Sequence, residues 1–372
     1  MLEIPLNEYF KKRNVSYSLL SKLDSGQVAY VRDFMQMKPL EKYESDTKAR
    51  RIGKYTDTGL FNPLLNIPID TFYILADEFS EGLYTNFIDT LVDRIKESVA
   101  LKHFQLDSPQ DVPDFINSVA PVKLLEEVHA AVGFKVTLKV VLNKVNKDYT
   151  NYFYDKYIGY GMTFLTINEA HISDMCIQEL KTNTFTKMYF NADIATLRGF
   201  EYLYQHGFNF EYIVPNAGSI TTKVLLDIIE IDHNKKTIRG CDVKTRDGSA
   251  YDFRFDFYKW KYYLQASLYT KALEEWLKAK NEKGEYLGYT VNNNFKFIVV
   301  STSYFNVAVY KCTETDIEKG LNGFEKRDGS YVKGVNELLD DVMWHLAINK
   351  WDCPRDVYSN DGIFYLNLLD KL

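Results

Sequence analysis

Aspartate is a costly residue to set inside an apolar strand, and this chain does it twice. Asp227 interrupts KVLLDIIEID, and Asp242 lies in GCDVKT two places before Lys244. A buried carboxylate without a partner carries a large desolvation penalty, so each needs a donor, a cation or a metal. Both runs have strand character, and HNKK between them has the composition of a hairpin turn. Strand side chains alternate, so Asp242 and Lys244 are expected on one face. If the two strands pair, the carboxylates meet at one end and can hold a hard divalent cation. The lysine then stands beside a phosphate or an attacking water, as a metal-dependent phosphodiesterase requires. The plainer alternative is a structural ion pair of Asp227 with Lys223 or Lys244.

The hydrophobic period changes along the chain. From 208 onward FNFEYIV, TTKVLLDIIEI and TIRGCDVKT predict three strands. DFYKWKYYLQASLYTKALEEWLKA predicts one long helix, NFKFIVVST and YFNVAVYKC a further strand pair, and ELLDDVMWHLAINKW a closing helix before Pro354. Near the start, VSYSLLSKLDSGQVAYVRDF predicts an amphipathic helix after a serine cap, burying Leu19, Leu20, Leu23 and Val28. The polar stretch from Glu41 to Asp57, with Lys42, Lys48, Arg50, Arg51 and Lys54, reads as a solvated loop, with phosphate contact as its functional alternative. From about 58 to 207 the pattern is mostly helical, and IATLRGFEYLYQHG reads as a helix ending at Gly207. The expected organisation is a mostly helical region 1–207, part of the same unit and carrying a helical insertion, followed by a core over 208–372. The expected fold class is α/β, a central mixed sheet flanked by helices, with a largely helical N-terminal half.

The order helix, three strands, helix, strand resembles the restriction-endonuclease-like core. Asp227 followed by DVKT, with Asp242, Lys244 and Thr245, resembles the PD-(D/E)XK nuclease superfamily in its RecB-like and phage exonuclease branch. QASLY, holding Gln265 and Tyr269, is similar to the Gln-x-x-x-Tyr motif of the following helix. Glu211 in FNFEYIV resembles the acid on the preceding strand. SYSLL resembles the opening of nucleases similar to exonuclease VIII and lambda exonuclease, and TGLFNPLLNIPIDTFYI their Gly-x-x-x-His segment, with Asn62 standing where that group often has His. FKFIVVSTSYFNVAVYKCTETDIEKG and WDCPRDV are similar to the group's closing elements. The resemblance spans about 10–75 and 205–355, and no motif matches between them.

The resemblance implies Asp227 and Asp242 as ligands of Mg²⁺ or Mn²⁺, completed by Glu211 and the carbonyl of Val243, with Lys244 orienting a water. It implies Gln265 and Tyr269 as residues that position the site, and Arg13 and Ser18 as a grip on a terminal 5′-phosphate. Arg246, Lys259, Trp260 and Lys261 complete the expected DNA-binding set. The implied partner is DNA, chiefly linear duplex ends, together with a single-strand annealing protein and a homo-oligomeric ring. An endonuclease, a flap nuclease and a non-cutting binder of DNA ends or protein share the same strands and remain open.

Composition narrows this without deciding it. A formal net charge of −6 argues against a protein that coats DNA but not against a local basic cleft. The four cysteines, at 176, 241, 312 and 353, are too scattered for a disulfide framework, a zinc site or an iron–sulfur cluster. No N-terminal signal and no membrane-length apolar run is read, so a cytoplasmic location is expected, in the host if phage-encoded.

Overall fold

The computed structural model describes residues 2–40, 47–77, 82–98 and 105–363. They group into two compact units, Met1–Asp46 with Cys176–Leu372, and Thr47–Met175. Among the described residues no helix is long and apolar enough to cross a membrane.

The unit Thr47–Met175 is helical, with its own core of Phe87, Ile88, Leu91, Phe115, Ile116 and Phe153. Two short strands in it, Phe72–Ile74 and Thr163–Leu165, pair in parallel. The stretch expected as a solvated loop becomes a helix, Lys48–Leu65, because the Thr47 hydroxyl accepts the Arg50 N–H and caps it. Arg51 grips Glu169 through Nη2–Oε1 at 2.6 Å and Nε–Oε2 at 3.1 Å, and Lys54 donates to Thr163. These cations hold their own unit together. Lys42 lies outside the described residues.

In the other unit seven described strands form one mixed sheet. They are β1 (Leu2–Ile4), β2 (Phe200–Val214), β3 (Gly218–Asp232), β4 (Thr237–Arg246), β5 (Thr290–Val291), β6 (Lys296–Ser301) and β7 (Val307–Lys311). Their order is β1-β2-β3-β4-β6-β7, with β5 also paired to β4. Neighbours run antiparallel except β4, which is parallel to β5 and β6. Flanking helices are α1 (Tyr17–Asp24), α2 (Val28–Met35), α3 (Phe253–Lys259), α4 (Tyr262–Glu282), α5 (Glu314–Asn322) and α6 (Val335–Ile348). Parallel neighbours need a long crossover, and the chain between β4 and β6 supplies it through α3 and α4. Helix α4 buries Leu264, Leu268, Leu273 and Trp276 in one core with Phe208, Val224, Leu226 and Phe297 of the sheet. Each such side chain contributes about 1.5–3 kcal/mol.

Three expected elements differ. The helix expected to end at Gly207 is helical only over Ala192–Leu197, and β2 already runs from Phe200. Gly207 is a close-approach residue rather than a helix terminator, since a Cβ there would lie 3.0 Å from the Ile4 carbonyl of β1. The boundary expected at 207/208 therefore falls inside a strand. The single long helix breaks into α3 and α4 at Lys261, whose φ of 58° no helix accommodates. The single N-terminal helix is likewise two, separated by a turn at Gly26 with φ 75°.

Candidate active site

β3 and β4 pair only from Asp232 opposite Thr237 to Ile228 opposite Cys241. The next step of that register would set Asp227 against Asp242, and there the strands part. Asp227 Oδ2 accepts the Val243 N–H at 2.8 Å, so a side chain supplies the acceptor a ladder would have given. The freed edge of β3 takes the N-terminal segment instead: Val15 bridges Thr222, and Lys223 N donates to Val15 O at 2.7 Å. Sequence from the far N-terminus thus enters the mouth between two diverging strands.

The strands are irregular at this point. In β3 the residues facing the α4 core are Val224 and Leu226, then Ile229 and Ile231. Regular alternation cannot join these two sets, so the pleat changes phase across Asp227. On β2, Gln205 sits opposite with φ 49° and donates Nε2 to Asp227 Oδ1 at 3.1 Å. Such irregularities re-aim a side chain, which is why they gather beside active sites.

Asp242 is 3% exposed and held from two sides. Its Oδ1 accepts Gln265 Nε2 at 2.6 Å, and its Oδ2 lies 2.6 Å from Lys244 Nζ. The Lys244 ammonium also lies 4.8 Å from the centre of the Tyr262 ring. Burial opposes its charge, but Asp242, Tyr262 and Asp227 outweigh burial and hold it above the usual lysine range. Tyr269, four residues beyond Gln265 on α4, is buried beside Tyr9, Asp242 and Asp227. Burial first, then those neighbours, push its phenol well above its ordinary value, so it remains a neutral hydroxyl. Asp227, Asp242, Lys244, Gln265 and Tyr269 therefore form one cluster at the opening between β3 and β4.

Glu211 does not join them. It pairs across β2–β3 with Thr221, whose hydroxyl it accepts. It stands six residues along β2 from Gln205, about 20 Å at strand spacing, and is exposed. It alternates with the core-facing Phe210 and Tyr212, so it projects from the other face.

The expected DNA contacts divide. Arg13 packs over the Phe34 ring at 5.0 Å, with a buried Nη1 that has no hydrogen-bond partner. The Ser16 and Ser18 hydroxyls are 3.0 Å apart on the same entering segment. Lys223 Nζ donates to the carbonyls of Tyr9 and Lys12 at 3.0 and 2.7 Å, which excludes it from the expected ion pair with Asp227. Arg246, at the end of β4, is committed to Asp256 at 2.7 Å, and Lys261 to Asp24 and Ser25. Lys259 stays exposed beside Trp260, 4.8 Å from its ring centre. Asn62 lies in the helical unit and donates to Pro68 O.

Sequence reasoning missed Gln205 because its segment reads as a helix. It also missed Tyr262, whose position three residues before Gln265 was a usable signal. Tyr17 stands near Lys244, Tyr262 and Asp242; burial, aided by Tyr262 and Asp242 and opposed by Lys244, sets its phenol well above the usual range.

Among the described residues no group of three or more His, Cys, Asp or Glu side chains is placed to hold a metal ion. What the cluster offers a cation is oxygen from two carboxylates, together with Gln265 Oε1, a buried atom with no hydrogen-bond partner. That donor set fits a hard divalent ion rather than a soft one. No protein-family model matches the chain, and no curated protein matches it either.

Proposed function

We propose that this chain is a metal-dependent exonuclease that hydrolyses phosphodiester bonds of linear DNA, built on a PD-(D/E)XK nuclease core. One observation carries the reading: the acids Asp227 and Asp242 and the ammonium of Lys244 stand together where two strands separate. Asp227 and Asp242 would hold Mg²⁺ or Mn²⁺, with the carbonyl of Val243 and the amide oxygen of Gln265 as further donors. Such an ion supplies Lewis acidity toward the phosphate and lowers the pKa of a water nucleophile.

The remaining work falls to side chains. Lys244 keeps its proton and presents a fixed positive charge, which opposes negative charge building on the phosphate oxygens in an in-line displacement. Gln265 holds the Asp242 carboxylate in one rotamer, and Gln205 with the Val243 N–H holds that of Asp227. Tyr269 excludes water behind the cluster. The entering segment favours an end-acting enzyme over one that cuts within a duplex. Its Arg13 has an unsatisfied buried N–H and lies three and five residues before two serine hydroxyls, a combination suited to a terminal phosphate.

The decisive experiment incubates end-labelled linear duplex with the protein and Mg²⁺, beside a closed circle and an Asp242→Ala control. Progressive loss of the linear DNA alone, abolished by the substitution, is expected. Cutting of the circle would replace exonuclease with endonuclease. Intact DNA with a folded protein would leave a non-cutting binder of DNA ends or protein.

A further inference from the structure

Beyond the cluster the surface carries a second pattern. The segment after β4 turns four large aromatic rings outward: Tyr251, Phe255, Tyr258 and Trp260 are 64, 61, 60 and 51% exposed. Exposing this much aromatic area in one short stretch is unfavourable unless something covers it. Two cations are interleaved with the rings. Arg254 lies 4.8 Å from the centre of Phe255, and Lys259 the same distance from that of Trp260.

The fold ties this stretch to the site. Arg246, two residues past Lys244, pairs with Asp256 of α3. Tyr262, against which Lys244 packs, follows Trp260 by two residues across the left-handed break at Lys261. Tyr17 of the entering segment donates its hydroxyl to the Trp260 carbonyl. The rings thus begin at the mouth of the cluster and run outward along α3. The stretch follows the carboxyl end of β4, the side of open α/β sheets on which ligands collect.

Charge identifies what fits. With Lys261 committed to Asp24, Arg254 and Lys259 face Asp252 and Asp256 in this stretch, in a chain of formal net charge −6. Asp256 is already neutralised by Arg246. Flat rings alternating with cations match a polymer that presents flat bases and phosphates in turn, with the bases unpaired so that their faces are free. A protein partner would use the rings but would have no reason to meet the interleaved cations.

We infer that the surface formed by Tyr251, Phe255, Tyr258 and Trp260, with Arg254 and Lys259, is a stacking platform that carries single-stranded DNA to or from the cluster. The inference rests on the nuclease reading for the identity of the polymer. It adds that this polymer is held here as an unpaired strand, by ring faces rather than by base edges, and so without sequence preference.

The test uses the full chain and a fluorescent oligothymidine, with binding read by anisotropy in Ca²⁺ to prevent cleavage. F255A combined with Y258A should weaken binding by roughly tenfold or more, since each stacked base contributes about 1–3 kcal/mol. R254Q combined with K259Q should weaken it and flatten its salt dependence. Circular dichroism of the variants checks that the fold is retained, which the exposure of all four positions predicts. Unchanged strand affinity in the aromatic variant would overturn the inference. A shift from dimer to monomer on sedimentation, without loss of strand affinity, would do the same and assign the rings to a protein interface. Cleavage by the unaltered chain is scored separately. Aromatic-dependent strand binding without cleavage would overturn the nuclease reading alone, and cleavage with aromatic-independent binding would overturn the platform alone.

Discussion

Strand β3 carries two acids three residues apart, half-buried Asp227 and buried Glu230, and their surroundings are opposite in kind. Glu230 is 1% exposed and lies in the closed part of the β3–β4 ladder, opposite Arg239. Arg239 Nε lies 2.9 Å from its Oε1 and Lys296 Nζ 2.8 Å from its Oε2, so two cations answer one carboxylate. At Asp227 the ladder has opened, and the carboxylate is held by neutral amides, the Val243 N–H and the Gln205 side chain. The cation beside it, Lys244, is paired directly with a second carboxylate, Asp242. Glu230 is therefore neutralised where it lies, and its cost of burial is met inside the protein. Two cations thus answer one carboxylate at Glu230, whereas at the opening two carboxylates, Asp227 and Asp242, stand around the single ammonium of Lys244.

Substitutions should separate the two regions. Asp242→Asn keeps the shape of the cluster and removes one charge, and cleavage of linear duplex should fall by about a hundredfold or more while the fold is kept. Retained cleavage would end the distinction drawn above. Glu230→Gln should do the reverse. Two partly buried cations lose their shared counter-charge, so unfolding in denaturant should show a loss of about 3 kcal/mol with cleavage per folded molecule preserved.

A third experiment concerns Lys223, whose pKa burial and the neighbouring Arg13 lower to about 8. Its ordinary value lies near 10.4, so between pH 8 and 9.5 the unfolded chain holds a proton that the folded chain has released. Stability should therefore rise with pH across that window, and Lys223→Met should flatten the rise. A fall instead, measured as denaturation midpoints at the two pH values, would show that the carbonyls of Tyr9 and Lys12 dominate over burial. The smallest effect belongs to Gln205→Ala, which removes one hydrogen bond to a charged group worth about 1.5–3 kcal/mol. Cleavage should drop by about tenfold, and added Mn²⁺ should recover part of it if Gln205 only orients Asp227.

The cluster was legible where local periodicity determines neighbours. Asp242 and Lys244 share a face because they are two apart on a strand, and Gln265 and Tyr269 because they are four apart on a helix. Asp227 was legible because a carboxylate in VLLDII needs an explanation. Glu211 was not, since its place depends on the β2–β3 register, which sets it opposite Thr221 and away from Asp227. The β2 strand was half hidden because Gly207 mimics a helix end until the neighbouring β1 backbone is seen. The helix Lys48–Leu65 was hidden by its charge, because Arg51 and Lys54 find their partners on distant segments. The break at Lys261, a non-glycine residue with positive φ, left no mark in composition.

The insertion of Val15 beside Thr222 bears on how the molecule comes into being. Lys12 and Lys223, joined by a hydrogen bond, are 211 residues apart, so the cluster is completed by a very long closure. During synthesis the first twenty residues wait until β3 has emerged before their place exists. Because closure entropy grows only with the logarithm of length, each doubling of the loop adds only about 0.6 kcal/mol. The unit Thr47–Met175 has its own core, and by condensing first it shortens the span left to search. Docking of the N-terminal segment is then among the last events of folding, and a chain cleaved so as to lose that segment keeps both acids but not the strand partner that enters beside them.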